Sequence, residues 1–539
     1  MLNNLRLGDF KHEELIDTQN RLVEKLSHPT HVTISLTPKT YRQAVNSTDK
    51  AEWMNVNENE LSNMKKAHVF KVLPIPDGVK QIGGGWVFVK KPGIDTEPDC
   101  FKARYVARGN SQLSGLDFHE TFAPTATFAS LQILLTLAAK SDLIIANFDF
   151  TAAYLNAYID KEVWIRPPYG LEIPPGSGCR LRKALYGTQQ AGRCWWSHLK
   201  NSLASRDFKS SNYDSSVYIN NKTGLTIWLH VDDGIVFGRK QSNIDTLQCT
   251  LCDEFDIKWS NALKHIVGIN IDRTKTGFKL SQPSLIQTIV NKYWDGRHTP
   301  HAPLPPKCNM VSLTDKDKII RQADFIAAIR ASSYVATGTR PDIAFAVNLL
   351  ARHSKYPGKE HWYCLQYLLG YLSGTISRQL SLTPSIDTAN LKIYSDTSWG
   401  GEFSRSTHGY LVQFFGCKVS WCSKRLVTVA SSSWHAKFMA LGIAARHGQS
   451  VQHLFQEITG DMLVLNLKCD NASCMRIASD CTSNNRTQHS DREFFITNQL
   501  LHSGLATLAW ICSEEMLADV FTKALGPQVH SAFAKQLLH

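Results

Sequence analysis

Three aspartates stand at the ends of predicted strands. Asp149 ends an apolar strand, and Asp232 and Asp233 lie about eighty residues later at the tip of a predicted hairpin. Hard divalent cations prefer carboxylate oxygens, and a hairpin tip can bring two adjacent carboxylates beside a neighbouring strand end. Phosphoryl transfer with two metal ions about 4 Å apart needs such a group of ligands. The spacing therefore predicts a candidate two-metal site.

Each aspartate also has an ordinary structural interpretation. An Asp at a strand end is usually a cap or turn residue, and the Asp-Asp-Gly sequence is typical of a tight turn. Neither element predicts a site by itself. The combination favours the metal hypothesis, because side chains carried on strands are held more rigidly than side chains on loops.

Apolar segments with strand and helix patterns surround the aspartates. Residues 143–150 are predicted to form a strand. Residues 225–231 and 235–238 are predicted to form a hairpin, because Asp-Gly favours the turns that match strand twist. Residues 130–140 and 191–208 are predicted to be helices.

Composition limits the classes of protein that the chain can be. The 539 residues include 59 Lys and Arg against 47 Asp and Glu, a formal net charge of +12. This excess fits a polyanionic partner such as nucleic acid, although proteins this large also reach it without one. No run of eighteen apolar residues is present, so no membrane partner is predicted. The thirteen cysteines without a secretory signal predict an intracellular protein with reduced thiols.

Two short motifs are given structural interpretations. Cys249 and Cys252 form a C-x-x-C pair but lack the second pair that a zinc site needs. Gly83-Gly84-Gly85 lacks the following Lys of a phosphate-binding loop, so it is predicted to be only a turn before a strand at residues 86–89.

Breaks in the pattern divide the chain into four predicted regions. Residues 299–306 contain four prolines in a polar setting and are the best linker candidate. The predicted regions are a polar leader or upstream remnant (1–50), a first globular domain (51–300), a linker and mainly helical connection (301–385) and a second globular domain (386–530).

Ordered motifs along nearly the whole chain resemble those of copia-type retrotransposon reverse transcriptases. So many matches in one order exclude chance. The matching segments are Trp86-Val87-Phe88, Lys102-Ala103-Arg104-Tyr105-Val106-Ala107-Arg108-Gly109, Gly115-Leu116-Asp117-Phe118-His119-Glu120-Thr121-Phe122-Ala123-Pro124, Asp149-Phe150-Thr151-Ala152-Ala153-Tyr154-Leu155-Asn156, Leu185-Tyr186-Gly187, Val231-Asp232-Asp233 and Thr339-Arg340-Pro341-Asp342-Ile343.

The resemblance implies an α+β fold, with a right-hand polymerase of fingers, palm and thumb in residues 51–300. A helical connection and an α/β ribonuclease H-like domain would follow. It implies an RNA-directed DNA polymerase that uses two Mg²⁺ ions, or Mn²⁺ in their place, in each active site. The implied partners are an RNA template, a DNA or RNA primer, the RNA–DNA hybrid and deoxynucleoside triphosphates. Members of the family act in cytoplasmic virus-like particles or in the nucleus.

The resemblance also assigns roles to single residues. Asp149, Asp232 and Asp233 match the metal-binding triad. Tyr154 matches an aromatic residue beneath the sugar that excludes a 2′-hydroxyl, although by pattern alone it is an ordinary core aromatic. Lys102 and Arg104 could hold the triphosphate, although two cations in a basic run are usually a solvated face. The residues matched to the nucleotide are Lys102, Arg104, Tyr154 and Gln190.

Two departures from the family pattern lie near this site. His230 stands where the family has Tyr before Val-Asp-Asp, which replaces a phenol with a smaller, titratable imidazole. Gln189 and Gly192 replace a Lys and a Pro in the segment after Leu185-Tyr186-Gly187. None of these changes removes a predicted metal ligand.

The C-terminal segment resembles the ribonuclease H domain of the same family, whose carboxylates also hold two metal ions. Asp396, Asp470 and Asp491 match three acidic positions. The family's glutamate-bearing helix reads Ser432-Ser433-Trp434-His435-Ala436-Lys437-Phe438 here, so Lys437 occupies the place of a ligand. A cation among carboxylates repels a metal ion, and ribonuclease H activity is therefore predicted to be impaired.

Two other interpretations remain open at this point. The eroded motifs fit a catalytically inactive relic that binds nucleic acid by charge and shape alone. A chain that acts mainly as a ribonuclease is the second alternative, and Lys437 argues against it.

Overall fold

The computed structural model describes residues 37–91, 99–306, 308, 310–314, 321–385, 391–400, 404–479 and 492–538. These residues combine helices with five β-sheets, so the predicted α+β fold class is confirmed. Within these segments, no helix is both long enough and apolar enough to cross a bilayer.

The elements are numbered in chain order. The helices are α1 (Tyr41–Val45), α2 (Lys50–Lys66), α3 (Phe128–Lys140), α4 (Ala191–Ala204), α5 (Gln241–Cys252), α6 (Pro283–Tyr293), α7 (Gln322–Gly338), α8 (Ala344–Ala351), α9 (Lys359–Gly374), α10 (Ser433–Thr459), α11 (Ala472–Ser479), α12 (Arg492–His502) and α13 (Pro527–Leu537). The strands are β1 (Phe70–Pro74), β2 (Gly84–Lys91), β3 (Cys100–Ala107), β4 (Ile144–Phe150), β5 (Trp164–Ile165), β6 (Ser177–Leu181), β7 (Lys209–Ser210), β8 (Val217–Asn220), β9 (Leu225–His230), β10 (Asp233–Gly238), β11 (Ile257–Ser260), β12 (His265–Ile266), β13 (Ile269–Arg273), β14 (Phe278–Ser281), β15 (Leu380–Leu382), β16 (Leu391–Ser398), β17 (Thr407–Phe414), β18 (Cys417–Arg425), β19 (Leu465–Cys469) and β20 (Ala506–Trp510).

A six-stranded antiparallel sheet, here called the central sheet, carries the three aspartates. Its strand order is β11-β4-β10-β9-β8-β7. Strand β9 is almost entirely buried along its length, as expected for a strand covered on both faces. Helix α3 begins at a Thr127 cap, whose hydroxyl accepts a hydrogen bond from the Ser130 amide, and buries most of its side chains. The predicted strands and helices around the aspartates are therefore present.

The glycines of the Gly83-Gly84-Gly85 motif are not the turn that the sequence suggested. Gly84 and Gly85 begin β2, which pairs with β3 over eight residues in an antiparallel hairpin. A side chain at Gly84 would collide with the ring of Tyr105. This close approach within the strand pair, and not a turn, explains the need for glycine there.

A five-stranded mixed sheet, here called the C-terminal sheet, forms the second α/β layer. Its order is β18-β17-β16-β19-β20, with β19 and β20 parallel to β16 and the other pairs antiparallel. Helix α10 begins at a Ser432 cap and packs on β16 and β17. Predicted α/β structure after residue 391 is therefore present.

One apolar core joins the central sheet to the C-terminal sheet. Leu134 on α3 and Ile235 on β10 belong to the same buried cluster as Leu280 on β14, Phe414 on β17 and Val419 on β18. All five side chains are fully buried or nearly so. The two sheets therefore share apolar packing along their boundary.

Two segments that the sequence suggested to be peripheral are packed. Within residues 299–306, Ala302 and Leu304 are buried, and Leu304 packs among the connection helices. Gly370 on α9 lies so close to the His298 carbonyl that a side chain could not fit between them. The segment is therefore not an open linker, because its apolar side chains between the prolines enter the core.

The predicted leader is partly folded as well. Residues 1–36 lie outside the described residues, but α1 follows them, capped by Thr40. Ala44 on this helix is fully buried in the cluster that contains Trp53. Residues 37–50 are therefore part of the globular structure.

A buried ion pair fixes the segment that matched the family's connecting region. Arg340 and Asp342 are buried, with an N–O distance of 2.8 Å. The Tyr371 hydroxyl donates to the Asp342 carboxylate at 2.7 Å, and His530 Nε2 on α13 lies 2.9 Å from the Asp342 carbonyl oxygen. The ion pair and these hydrogen bonds compensate the two charges inside the protein. The network connects the helical segment to the last helix.

Candidate active site

The central sheet brings Asp233 directly opposite Asp149. The two residues are Cα partners across β4 and β10. Asp232 lies at the hairpin tip, where its carbonyl oxygen accepts a hydrogen bond from the Phe150 amide at 3.0 Å. The three predicted carboxylates therefore lie together at one end of the strands of the central sheet, here called the aspartate edge.

The turn of this hairpin differs by two residues from the expected one. Val231, with φ of 61°, and Asp232 form the tip, while Asp233 already begins β10. Gly234 is needed for another reason, because a side chain there would collide with the ring of Phe148. The Asp-Gly signal located the hairpin but placed its turn too late.

The electrostatics of the three carboxylates reflect their closeness. Burial, with the charges of Asp232 and Asp149, raises the pKa of Asp233 to about 7. Burial also raises the pKa of Asp149, and nearby cations partly offset this effect. Like charges held close together in a poorly solvated site disfavour full ionisation. A bound cation would therefore stabilise the ionised form of these carboxylates.

Three basic side chains supply the cationic field around Asp149. They are Lys258 on β11 and Lys102 and Arg104 on β3. Lys258 is the Cα partner of Asp149 across β4 and β11. Lys258 was not predicted from the sequence, since a single exposed Lys on a short strand carries no local signal. Its position becomes evident only from the register of the sheet.

The residues at this edge fit a divalent cation by their chemistry. They offer carboxylate oxygens, the donors that Mg²⁺ and Mn²⁺ prefer, and burial together with the charges of Asp232 and Asp149 raises the pKa of Asp233. Across the described segments, no three His, Cys, Asp or Glu side chains already converge on one point closely enough to enclose an ion.

The predicted nucleotide-binding residues form an aromatic and cationic group beside the aspartates. Tyr154 follows β4 on a short 3-10 turn, and its ring lies edge-on to that of Tyr186 at 5.2 Å. The Arg104 guanidinium lies over the same Tyr186 ring at 5.0 Å. Lys102 and Arg104 are exposed on β3. The Tyr186 ring thus contacts both Tyr154 and Arg104, which the motif resemblance assigned to the nucleotide separately.

Gln190 is not placed to contact a nucleotide. Its side chain is fully buried, and its amide group accepts from Gln112 at 3.0 Å and donates to the Asp117 carbonyl oxygen at 2.9 Å. Gln189 donates to the Gly109 carbonyl oxygen at 3.1 Å. The structure corrects the assignment of Gln190, because these contacts tie the start of α4 to the loop after β3.

His230 is held neutral by its surroundings. The imidazole stacks on Trp228, with ring centroids 5.9 Å apart, and Asp233 is its Cα partner on β10. Burial lowers the pKa of His230 to about 4. The titratable character expected for this departure is therefore suppressed near neutral pH.

The connection contributes an unexpected neighbour to the aspartates. Tyr334 on α7 donates a hydrogen bond to the Val267 carbonyl oxygen. Burial and the negative charge of Asp233 raise the pKa of the Tyr334 phenol. Helix α7 therefore reaches the aspartate edge of the central sheet, although nearly two hundred residues separate it from Asp149 in sequence.

The second acidic group lies at the end of the C-terminal sheet and holds a lysine. The fully buried Asp396 on β16 has its Oδ1 atom 3.2 Å from Lys437 Nζ. Lys437 also donates to the Asp470 carboxylate. The ammonium group thus lies between two of the predicted ligands. The group does not fit a divalent cation at that position.

A second lysine and a further carboxylate complete this group. Lys523 Nζ lies 3.4 Å from Asp396 Oδ2 and 2.9 Å from Asp519 Oδ1. Burial would raise the pKa of Asp396, but Lys523, Lys437 and a hydrogen bond from Thr522 lower it to about 2. Burial and the charge of Asp396 raise the pKa of Asp519 to about 6.

The structure therefore adds Asp519, which was not predicted as a site residue from the sequence. The predicted third acidic residue, Asp491, lies outside the described residues. Asp519 was missed because its closeness to Asp396 depends on a 3-10 turn, Leu517–Phe521, that packs against β16 and β17.

Comparison with known proteins agrees with the motif resemblance. A family model described as reverse transcriptase (RNA-dependent DNA polymerase) matches residues 67–300. The chain is 30% identical over 510 residues to the retrovirus-related Pol polyprotein from transposon RE1 of Arabidopsis thaliana. It is 27% identical over 548 residues to the corresponding polyprotein from transposon TNT 1-94 of Nicotiana tabacum. These matches cover 92% and 98% of the chain but only 34% and 41% of the two polyproteins.

A solved structure of a foamy viral protease-reverse transcriptase in complex with an RNA/DNA hybrid resembles the chain more distantly. The identity is 11% and the TM-score is 0.47, over 85% of this chain and 54% of the other. The sequence matches are the decisive finding, because they extend through the aspartate motifs and the C-terminal segment. Residues 67–300 are a reverse transcriptase domain, and the chain is similar along nearly its whole length to the Pol polyproteins of copia-type retrotransposons.

Proposed function

We propose that the chain is an RNA-directed DNA polymerase, which adds deoxynucleotides to the 3′ end of a DNA or RNA primer on an RNA template. The observation that carries the proposal is the placement of Asp233 opposite Asp149, with Asp232 at the adjoining tip. Lys102, Arg104 and Lys258 around them give the edge a cationic rim. A triphosphate needs cations for its charge, and its reacting centre needs carboxylates for a metal.

Asp149, Asp232 and Asp233 are the proposed ligands of two Mg²⁺ ions, or of Mn²⁺ in their place. Bound ions would neutralise charge that develops on the transferred phosphoryl group. The protein's own part is positioning. Lys102 and Arg104 would bind the triphosphate, and the tie between the Asp232 carbonyl and the Phe150 amide holds the hairpin tip against β4.

Metal binding should release a proton at acidic pH. The pKa of Asp233 is about 7, so the carboxyl group is protonated below that pH and must ionise to bind Mg²⁺. Mg²⁺ affinity should therefore fall about tenfold per pH unit below 7. Calorimetric titration of the protein with Mg²⁺ in buffers of different ionisation enthalpy should show the release of about one proton per chain at pH 6 and almost none at pH 9. Equal release at both values, or the same release from Asp233→Asn, would contradict this assignment.

Tyr154 is proposed to select deoxynucleotides by steric exclusion. Replacement by Ala should leave deoxynucleotide incorporation within a few-fold of normal but raise ribonucleotide incorporation by about a hundredfold, since a clash worth roughly 3 kcal/mol is removed. Single-nucleotide incorporation with each substrate measures the ratio. Tyr158→Ala, at an exposed position four residues later, is the matched control. An unchanged ratio would assign Tyr154 to packing with Tyr186 alone.

Primer extension tests the proposed function directly. The full chain is supplied with a primed RNA template, deoxynucleotides and Mg²⁺, and extension is followed with and without a chelator. Extension that requires the template, the deoxynucleotides and the divalent cation supports the proposal. Template binding without extension would favour the alternative, an inactive relic that only binds nucleic acid.

The division of the chain follows from the same proposal. Residues 51–300 would form fingers, palm and thumb, residues 301–385 the connection, and residues 386–530 a ribonuclease H-like domain that holds the RNA–DNA hybrid. Lys437 between Asp396 and Asp470 supports the proposal that this domain cuts RNA poorly or not at all. The proposed location is the cytoplasm, in a virus-like particle, or the nucleus.

A further inference from the structure

Two cysteines from distant parts of the chain meet in the helical connection. Cys308 follows the proline-rich segment 299–306, and Cys364 lies 56 residues later on α9. Their Sγ atoms are 3.1 Å apart and in direct contact. A disulfide bond holds its sulfur atoms at about 2.0 Å, so a movement of about 1 Å would join the two. The fold therefore brings both thiols to a separation from which they can be oxidised together.

The two thiols differ in their access to solvent. The Cys364 side chain is buried in the apolar cluster formed by α6, α7, α8 and α9. Cys308 packs against the same cluster but is partly exposed. A small oxidant in solution can thus reach Cys308 directly. Exchange with a disulfide requires only one accessible sulfur atom, because the second step takes place within the protein.

The contact also distinguishes the two sulfur atoms chemically. The hydrogen bond from the Cys364 thiol lowers the pKa of Cys308, and burial and the charge of Glu360 only partly oppose this effect. The same hydrogen bond and burial raise the pKa of Cys364. The thiolate is the nucleophile in exchange with disulfides. The reactive form is therefore favoured at the more exposed of the two sulfur atoms.

A second pair of cysteines provides a contrast within the same chain. The Cys474 thiol on α11 donates a hydrogen bond to Cys469 at the end of β19. Both of these side chains are buried. A dissolved oxidant has access to neither sulfur atom, so this pair should stay reduced while the chain is folded.

We propose that Cys308 and Cys364 are a modification site, at which a small-molecule disulfide converts the two thiols into an intramolecular disulfide. The Cys308 thiolate attacks one sulfur atom of the oxidant, forms a mixed disulfide and releases a thiolate. Cys364 Sγ then attacks Cys308 Sγ and displaces the second half of the oxidant, which takes the Cys364 proton. In sum, the protein loses two electrons and two protons, and one molecule of oxidant becomes two thiols.

The disulfide would close a loop that contains most of the connection. The chain between the two cysteines includes α7, α8 and the start of α9. Cross-linking a loop of 56 residues restricts the unfolded chain far more than the folded chain. Since Tyr334 on α7 reaches the aspartate edge, the cross-link would also secure a helix beside the proposed polymerase site. Oxidation should therefore make the chain more resistant to thermal unfolding.

Oxidation of the full chain tests the site. The chain is incubated with oxidised glutathione, free thiols are blocked with iodoacetamide in acidified denaturant, and peptides are identified by mass spectrometry before and after reduction. We expect a cross-linked peptide containing Cys308 and Cys364 that disappears on reduction, whereas Cys469 and Cys474 should carry the blocking group. The melting temperature of the oxidised chain should rise by about 3 °C and return to its original value on reduction.

Single variants separate the two steps of the exchange. Cys308→Ser should lose both the cross-link and the rise in melting temperature. Cys364→Ala should stop after the first step and keep glutathione attached to Cys308. Cys249→Ser removes an exposed thiol from α5 and should keep the cross-link and the full rise.

Three outcomes would overturn the site. They are a Cys308 thiol that glutathione leaves unmodified, a mixed disulfide at Cys308 that persists in the parent chain, and an undiminished rise in melting temperature in Cys308→Ser. Cys308→Ser keeps the test valid if Cys364→Ala misfolds, because Cys308 is partly exposed. Peptide masses and melting temperatures do not depend on catalysis, so failure of this site and failure of the polymerase proposal are distinguishable.

Discussion

Replacing Asp232 by Asn should abolish primer extension while leaving binding of the primed template within a few-fold of normal. The amide is nearly the same size as the carboxylate, and the hydrogen bond between the Asp232 carbonyl and the Phe150 amide belongs to the backbone. The hairpin should therefore fold as before. Loss of a charged metal ligand removes several kcal/mol of transition-state stabilisation. About 4 kcal/mol corresponds to roughly a thousandfold decrease in rate.

Asp253→Asn is the matched control for this substitution. Asp253 is exposed at the end of α5, and its change alters the net charge equally. Single-turnover extension should be normal in this variant. If Asp232→Asn retained a rate within tenfold of the parent, the carboxylates at the hairpin tip would not be the metal ligands, and the chemistry would have to be sought elsewhere.

Replacing Lys437 by Glu should create a divalent metal site in the C-terminal domain and restore RNA cleavage in an RNA–DNA hybrid. At present an ammonium group occupies the centre between Asp396 and Asp470. A unit charge 4 Å away contributes about 4 kcal/mol at the effective dielectric of such a site, or roughly a thousandfold in cation affinity. The glutamate would also add a ligand oxygen. Cleavage products on a labelled RNA strand, with Mn²⁺ or Mg²⁺, measure the gain.

Lys437→Met separates removal of the cation from addition of a ligand. It should produce weak metal binding and little cleavage, because the carboxylate that a glutamate at this position would supply is still missing. Thermal unfolding offers a second readout, since added Mn²⁺ should raise the melting temperature of Lys437→Glu more than that of the parent chain. A variant that neither binds Mn²⁺ nor cuts RNA would show that Lys437 is not the single cause of impairment. Lys523, which also pairs with Asp396, would then be the remaining cation that opposes a bound metal ion.

Local sequence signals were sufficient for the elements that carry the aspartates. An apolar run ending at Asp149 and a hairpin around Asp232 and Asp233 need only short-range preferences, and the structure has both. The position of the turn was wrong because the Val231 backbone, and not Gly234, adopts the positive φ. Gly234 is required because a side chain there would collide with the Phe148 ring on the neighbouring strand. Rules for turn sequences take no account of such a contact between strands.

The residues that were missed depend on contacts between distant segments. Lys258 joins Asp149 through strand register, and Asp519 joins Asp396 through a turn that packs against the C-terminal sheet. Gln190 was misassigned because a motif position does not reveal whether its side chain faces a cleft or the interior. The position of Lys437 was predictable, because the family's helix motif places a ligand at this residue, and its ammonium group does lie beside Asp396 and Asp470. For Lys258, Asp519 and Gln190, the role depends on strand pairing and side-chain burial, which residue type alone does not reveal.

The apolar cluster shared by the central and C-terminal sheets has a consequence for how the protein can be divided. Leu134 and Ile235 belong to the same buried cluster as Phe414 and Val419, so a fragment ending near residue 300 would expose part of this apolar surface to water. We expect such a fragment to aggregate, and the intact chain to melt in one cooperative transition that includes both sheets. A substitution in this shared core, on either side, would then alter the stability of both sheets. The central sheet and the C-terminal sheet would therefore have been constrained to change together during evolution.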